Sequence, residues 1–178
     1  MTMWVFGYGS LLWNPGFAPA ETVLARLDGY HRSFCMLSIH HRGSEEVPGL
    51  VLALDAQEGS TCTGLALRVA PEDEERVLAE LRERELISSA YYEARVPLAL
   101  TDGRDVEALA YIVDTGHRQY VQFDLETQAT MIARGQGGRG PNSEYLDNTF
   151  EHLEGLGIHD ADMDWLVARV RDIKAAGG

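Results

Sequence analysis

The amino-acid sequence predicts a single α+β domain over residues 1–178. Short apolar or alternating runs, which are typical of strands, occupy mainly the first two-thirds of the chain. Segments with helical spacing and capping residues occupy the last third. This order of strands before helices favours an α+β fold over a doubly wound parallel sheet. A chain of 178 residues is long enough to bury a substantial core in one domain.

Six strands and one early helix are predicted in the first two-thirds. Gly, Pro, Asp and Ser separate the predicted strands, which cover residues 3–6, 32–39, 49–54, 63–69, 92–100 and 106–113. The helix is expected from Pro71 to about Leu86, since proline is tolerated in a first helical turn. The acidic residues 72–75 suit the positive end of its dipole.

Three further helices are predicted in the last third. Asp124 is expected to cap a helix that ends near Gly135, and Asp160 to cap the final helix. Between them, Asn142 or Ser143 is expected to cap a helix that stops at Gly155.

The charge of the chain argues against anionic macromolecular partners. The formal net charge is −13, from 15 basic and 28 acidic residues, so the protein repels nucleic-acid phosphates and anionic lipid. The first 13 residues, MTMWVFGYGSLLW, form an apolar but short segment that contains no basic residue. We therefore expect no nucleic-acid binding, no membrane span, no signal peptide and a cytoplasmic location.

The cysteines and histidines show no metal-binding pattern. Cys35 and Cys62 are not in a CxxC spacing, and we expect two reduced thiols in or near the core. A nucleophilic pair of Cys35 with a histidine is an alternative. Adjacent His40 and His41 would point to opposite faces of a strand, and no HExxH spacing occurs. We predict that the protein needs no metal.

The first candidate site is the stretch Gly7, Tyr8, Gly9, Ser10, Leu11 and Leu12. A predicted strand runs into two glycines, which allow turns that aim several backbone N–H groups at one point. Such a group of amides can bind a carboxylate or an oxyanion. The alternative is an ordinary tight turn after an edge strand. A dinucleotide fingerprint is excluded because the third glycine is missing.

The second candidate is Glu85 on the predicted early helix. Val77, Leu78 and Leu81 share one helix face, and Glu85 continues that apolar stripe. Burial on such a face raises the pKa of a carboxyl group toward values useful for a general base near neutral pH. Arg82 and Glu83 are expected to point away. The alternative is a frayed helix end whose carboxylate reaches water.

A glycine-rich segment, residues 135–142, is the third candidate. It lacks the GK[ST] of a phosphate-binding loop, so nucleotide binding is not expected. A mobile lid over a pocket and a plain connection between helices are both compatible with its composition.

The motifs taken together resemble one known family. The specific motif is VFGYGSLLWNPGF from Val5 to Phe17, and the resemblance continues in chain order nearly to the last helix. It includes residues 29–32, 41–44, 48–49, 84–85, 91, 110–111 and 142–146. These segments resemble the ChaC-like gamma-glutamylcyclotransferases.

The resemblance implies a fold, a reaction and a set of site residues. The expected fold is a small mixed, mostly closed β-barrel of about six strands flanked by helices. Glu85 matches the family's catalytic glutamate, and Gly7–Leu12 match the loop that holds the γ-glutamyl group. The implied reaction is cyclisation of glutathione to 5-oxoproline and cysteinylglycine, with no cofactor. Two departures, Ser88–Ala90 in place of common glycines and Arg139 in place of a small residue, bear on the leaving-group side.

Two alternative functions stay open on the sequence. One is a cyclotransferase for other γ-glutamyl amino acids or amines, and the other is a non-catalytic regulatory protein of the same fold. The intact motif and Glu85 argue against the non-catalytic protein, whereas the choice of γ-glutamyl substrate depends on the leaving-group side near Arg139 and residues 88–91. The sequence carries no feature that specifies an oligomeric state.

Overall fold

The computed structural model describes residues 2–86 and 89–177, and its main sheet is a closed five-stranded barrel. The strands follow the spatial order β1-β3-β2-β4-β5, with bounds β1 Trp4–Gly7, β2 Glu21–Ser38, β3 Gly49–Arg68, β4 Tyr91–Leu100 and β5 Asp105–Val113. A separate two-stranded sheet pairs β6 Gln136–Gly137 with β7 Gly140–Pro141. The helices are α1 Glu74–Leu86, α2 Leu125–Arg134, α3 Asn142–Gly155 and α4 Ala161–Gly177, with 3-10 turns at Ser10–Leu12 and Pro71–Asp73.

The barrel is mixed, as expected. Strand β1 pairs antiparallel with β3 and parallel with β5, so that Val5 lies beside Leu67 on one side and Leu109 on the other. Strands β2 and β4, and β4 and β5, pair antiparallel. The predicted α+β class and the barrel are confirmed.

The number of strands differs from the prediction of six. The runs at 49–54 and 63–69 are the two ends of one 20-residue strand, β3, and β2 begins at Glu21 rather than at residue 32. Most of the segment from 56 to 61 is exposed and polar, so the apolar alternation disappears although the strand continues. Gly29 in β2 and Gly59 in β3 have φ angles of 88° and 82°, a backbone conformation that glycine adopts without a steric penalty.

The chain divides into two compact units, and the boundary falls within β2 and β3. The first unit contains Met1–Arg32 and Leu54–His117, and the second contains Ser33–Ala53 and Arg118–Gly178. Apolar side chains form the core of the first unit, among them Trp4, Phe6, Ala25, Leu27, Leu54, Cys62, Ala66, Val96, Leu98, Ala110 and Ile112.

In the second unit, α2, α3 and α4 pack on one another. The contacts bury Ala129, Ile132, Leu146, Leu153, Met163, Leu166, Val167 and Val170. Two predicted caps are confirmed: Asp124 accepts a hydrogen bond from Thr127 N–H at 2.7 Å, and Asp160 accepts one from Met163 N–H at 3.1 Å.

The predicted cap of α3 is wrong. Pro141 precedes the helix, and neither Asn142 nor Ser143 caps it, because both lie inside its first turn. The Asn142 side chain instead pairs with β3, accepting from Leu50 N–H and donating to Leu50 C=O, both at 2.8 Å. A buried strand residue whose backbone groups both need partners is satisfied by one amide side chain.

The prediction that both cysteines lie in or near the core is confirmed. Cys35 and Cys62 are 1% and 2% exposed, and neither forms a disulfide.

Within the described residues, no helix has both the length and the apolar character needed to cross a membrane.

Candidate active site

The loop Gly7–Leu12, which we term the cradle loop, connects the end of β1 to a 3-10 turn. The Leu12 N–H donates to the Gly9 carbonyl at 2.9 Å and is thus the first amide bonded within the turn. The amides of Gly9, Ser10 and Leu11 precede it, and the first N–H groups of a helical turn have no acceptor inside that turn. Amides in such a position can bind an anion.

Neither glycine of the cradle loop has a left-handed conformation, and the close backbone approach beside the loop lies at Gly64 on β3. Gly9 has a φ of −136°, and Gly7 is not among the glycines with positive φ. A Cβ on Gly7 would lie 3.4 Å from the Leu11 backbone carbon. On the neighbouring strand, a Cβ on Gly64 would lie only 2.3 Å from the Gly7 oxygen. Glycine at position 64 therefore lets β3 lie closely against the start of the loop at Gly7.

Arg32 fixes the Tyr8–Gly9 peptide of the cradle loop. Its Nη1 donates to the Tyr8 carbonyl at 2.5 Å, and its Nη2 donates to the Thr63 carbonyl. In a trans peptide the C=O and the following N–H point in opposite directions. Holding the Tyr8 carbonyl therefore orients the Gly9 N–H away from Arg32.

Glu85 lies on the buried side of α1, as the helical spacing predicts. Val77 and Leu81 on the same stripe are 1% and 2% exposed, whereas Arg82 and Glu83 are exposed. The Glu85 side chain is 16% exposed. Burial raises the pKa of its carboxyl group above the usual range, while the positive charge of Arg84 opposes that shift. A carboxyl group whose pKa is raised by burial is a candidate for proton transfer.

Arg84 connects Glu85 to the cradle loop. Its Nη2 donates to Ser10 Oγ at 2.9 Å, and its Nη1 donates to the Asn14 carbonyl at 2.6 Å. Its Nε lies 3.4 Å from Glu85 Oε1. The structure therefore brings the two candidate sites of the sequence together, through a side chain for which the helix phase alone gave no role.

Tyr111 on β5 is a further titratable group beside Glu85. The residue is 1% exposed, and its hydroxyl donates to Glu93 Oε1 at 3.0 Å. Arg82 donates two hydrogen bonds to the Glu93 carboxylate, at 3.1 and 2.9 Å. Burial, the bond to Glu93 and the charge of Glu85 raise the pKa of the Tyr111 phenol far above its usual value. Tyr111 therefore stays protonated and acts as a hydrogen-bond donor.

Among the described residues, no three His, Cys, Asp or Glu side chains converge in a way that could hold a metal ion. The groups available for chemistry around Glu85 are carboxylate, phenol, guanidinium and backbone amide. Such a set can bind an anion and transfer a proton.

A family model for the ChaC-like protein matches residues 3–173 of the chain. The chain belongs to the ChaC-like family. The match includes the cradle loop and Glu85, so the resemblance inferred from the sequence motifs is confirmed.

The relatives of this ChaC-like protein carry names that agree with one another. It is 38% identical over 175 residues to the "Glutathione-specific gamma-glutamylcyclotransferase" of Escherichia coli, covering 97% of this chain and 74% of that protein. It is 32% identical over 180 residues to "Gamma-glutamylcyclotransferase 2-3" of Arabidopsis thaliana, covering 97% and 90% of the two chains. Each name states the activity of the relative that carries it.

A solved structure shares the fold of this ChaC-like protein. The crystal structure of a yeast gamma-glutamyl cyclotransferase specific to glutathione superimposes with a TM-score of 0.86. The superposition covers 96% of both chains at 22% sequence identity. At this identity the comparison supports the barrel fold.

Besides Arg84, two residues near Glu85 and the cradle loop were not predicted as site residues. Arg32 and Tyr111 both fall within the motifs that carry the ChaC-like resemblance, but the motifs alone indicate no role for either residue. Arg32 could have been noticed because it is a charged residue at the start of an apolar predicted strand. Tyr111 sits in an apolar strand, and only the tertiary structure shows its bond to Glu93.

The departures from the family pattern fall in two places. Ser88 lies outside the described residues, whereas Ser89 has a φ of 60° and Ala90 is buried. Glycine adopts a positive φ more readily than any other residue does, which fits the glycines common at these positions in the family. Arg139 is exposed on the turn between β6 and β7, and its N–H donates to the His41 carbonyl at 2.9 Å.

The glycine-rich segment 135–142 is an ordered hairpin of the second unit. Gly138 N–H donates to the His40 carbonyl at 2.8 Å, and a Cβ on Gly137 would lie 2.5 Å from the same oxygen. The glycines therefore allow the hairpin to lie directly against residues 40–41. These contacts support the interpretation as a connection rather than a lid.

Proposed function

We propose that this ChaC-like protein is a glutathione-specific gamma-glutamylcyclotransferase, which converts glutathione into 5-oxoproline and cysteinylglycine. The observation that carries the proposal is the pairing of a buried carboxylate with an amide-lined loop. Glu85, with its raised pKa, is tied through Arg84 to the start of the 3-10 turn at Ser10. The similarity to relatives named for this activity supports the same conclusion.

The reaction needs orientation more than chemical activation. The α-amino nitrogen of the γ-glutamyl group attacks the γ-carbonyl carbon of the same residue and closes a five-membered ring. The new C–N bond replaces the peptide C–N bond to cysteine, and no water molecule is consumed. Holding the reacting atoms in the folded geometry contributes a large part of the rate, because intramolecular attack has a high effective concentration.

Glu85 is proposed to move the proton. The substrate amine is an ammonium ion at neutral pH, so its proton must be removed before the nitrogen can attack. Glu85 accepts that proton and returns it to the departing nitrogen of cysteinylglycine as the peptide C–N bond breaks. The ring nitrogen loses a second proton when it becomes the amide of 5-oxoproline, and cysteinylglycine takes up this proton and leaves as an ammonium ion. A carboxyl group with a raised pKa performs both steps better than an ordinary one, because its affinity for the proton is closer to that of the reacting groups.

The cradle loop is proposed to hold the γ-glutamyl group. Gly7, Tyr8, Gly9, Ser10, Leu11 and Leu12 form its binding site in this proposal. The amides of Gly9, Ser10 and Leu11 bind negative charge, either on the substrate α-carboxylate or on the oxyanion of the tetrahedral intermediate. Both roles use the peptide orientation that Arg32 and the 3-10 turn fix.

The test is incubation of the purified protein with glutathione and detection of 5-oxoproline by mass spectrometry. We expect 5-oxoproline and cysteinylglycine in equal amounts. A panel of γ-glutamyl dipeptides and γ-glutamyl amines run in parallel is expected to be turned over more slowly. Preference for a panel member would support the broader cyclotransferase, and no turnover of any substrate would support a regulatory protein.

Metal removal is expected to leave the activity unchanged. The proposed steps use an internal nucleophile, and no activated water is needed. Exhaustive EDTA treatment followed by the glutathione assay should give the untreated rate. Loss of activity that a divalent ion restores would contradict the proposed mechanism.

A cytoplasmic location is part of the proposal and is checked by cell fractionation.

A further inference from the structure

The Arg84 side chain contacts both parts of the proposed site at once. We propose that Arg84 is a positioning residue that holds the cradle loop in register with Glu85. This inference rests on the proposed function, because it assigns a role within the same reaction. It adds a residue that acts on the geometry of the site through Ser10, Asn14 and Glu85.

The geometry of the guanidinium favours this role. The group is planar, and its three nitrogens have fixed relative positions. One donates to Ser10 Oγ in the cradle loop, the second donates to the Asn14 carbonyl just beyond it, and the third faces the Glu85 carboxylate. A shift of the loop relative to α1 therefore breaks at least one of these contacts. A lysine ammonium, being a single nitrogen on a flexible stem, cannot span the same three partners.

The two loop contacts bracket the 3-10 turn. Ser10 is the first residue of the turn, and Asn14 closes it by donating its N–H to the Ser10 carbonyl at 2.8 Å. Arg84 thus donates hydrogen bonds to the first residue of the turn and to a residue just after its end. The amides of Ser10 and Leu11 lie at the start of this turn, so its position determines where they point.

Arg84 also influences the charge state of Glu85. Its positive charge stabilises the ionised carboxylate and opposes the effect of burial on the Glu85 pKa. Of the other groups around Glu85, Tyr111 on β5 is neutral, and the charge of Glu93 on β4 is paired with Arg82. Removing Arg84 therefore moves the Glu85 pKa to a higher value, and the acid limb of the pH profile moves with it.

The experiment compares Arg84→Met and Arg84→Lys with the control Arg76→Met. Arg76 lies on the same helical segment and is exposed, with ion pairs to Asp73 and Glu80 only at the surface. We expect Arg84→Met to lower kcat/KM for glutathione by about 10- to 100-fold, the scale of a misplaced reacting group. Its acid limb should move to higher pH. Arg84→Lys should keep the acid limb near its original place but still lose kcat, and Arg76→Met should match the wild type.

A double-mutant cycle with Ser10→Ala tests the mechanical link. If Arg84 acts by holding Ser10, Ser10→Ala should add little loss in the Arg84→Met or Arg84→Lys background, although it lowers activity alone. Independent, additive losses would overturn the inference, as would a folded Arg84→Met enzyme with an unmoved acid limb. If Arg84→Met does not fold, the cycle in the Arg84→Lys background decides. Absence of 5-oxoproline from the wild type would instead refute the proposed function.

Discussion

Replacement of Glu85 by glutamine is expected to lower kcat for glutathione by at least about 10²-fold, the usual contribution of a general base. Glutamine keeps the size of the side chain and much of its hydrogen bonding, but it cannot accept the ammonium proton. Because Arg84 keeps its hydrogen bonds to Ser10 and Asn14 in this variant, KM should change much less than kcat. The measurement is the rate of 5-oxoproline release as a function of glutathione concentration.

Glu83→Gln is the matched control for this prediction. Glu83 lies two residues away on the exposed face of α1 and carries the same chemical group. It should leave kcat and KM unchanged. An inactive Glu83→Gln enzyme beside an active Glu85→Gln enzyme would refute the proposed base and the alignment with the family.

In the wild type, kcat/KM should fall as pH decreases through the raised pKa of Glu85, and Glu85→Gln should lack this limb in its residual activity.

The same variant has an expected effect on stability. The pKa of Glu85 is raised in the folded state by burial, so the folded protein binds the proton more tightly than the unfolded chain does. The free energy of unfolding therefore falls as pH rises from the unfolded pKa through the folded pKa. At neutral pH, Glu85→Gln should melt no lower than the wild type, and the difference should shrink or reverse at acidic pH. Thermal melts at two pH values measure this effect.

Replacement of Asn142 by alanine is expected to destabilise the protein by about 2–4 kcal/mol, the scale for leaving two buried polar groups without partners. Leu50 and Asn142 are both 0% exposed, and the side chain bonds both backbone groups of Leu50 at 2.8 Å. A Cβ on Gly49 would lie 2.7 Å from Asn142 Oδ1, and one on Gly135 would lie 3.1 Å from Asn142 Cβ. This close packing makes it difficult for a water molecule to replace the lost amide.

Two further variants define the Asn142 result. Asn142→Asp keeps the shape but removes the donor to the Leu50 carbonyl and buries a charge, so it should also be strongly destabilising. Glu151→Ala on the exposed side of the same helix should change the free energy of unfolding by less than about 0.5 kcal/mol. Denaturant unfolding measures all three. An Asn142→Ala protein as stable as Glu151→Ala would show that the paired hydrogen bonds contribute little.

The sequence by itself determined the class of the fold, the helix phase and the two candidate site segments. The apolar stripe of α1 placed Glu85 on the buried face because helical periodicity depends only on local spacing. Asp124 and Asp160 were identified as caps for the same reason, since a cap bonds to an amide three residues along the chain. The specific motif at Val5–Phe17 carried the family.

The tertiary structure decided what depends on contacts between distant residues. It merged two predicted strands into β3, because an exposed strand segment has no apolar alternation to reveal it. It changed Asn142 from a cap into the partner of Leu50, 92 residues away in the chain. Arg84 likewise gained its contacts with Ser10 and Asn14 only through folding, since a bond across 70 or more residues leaves no periodic signal in the sequence.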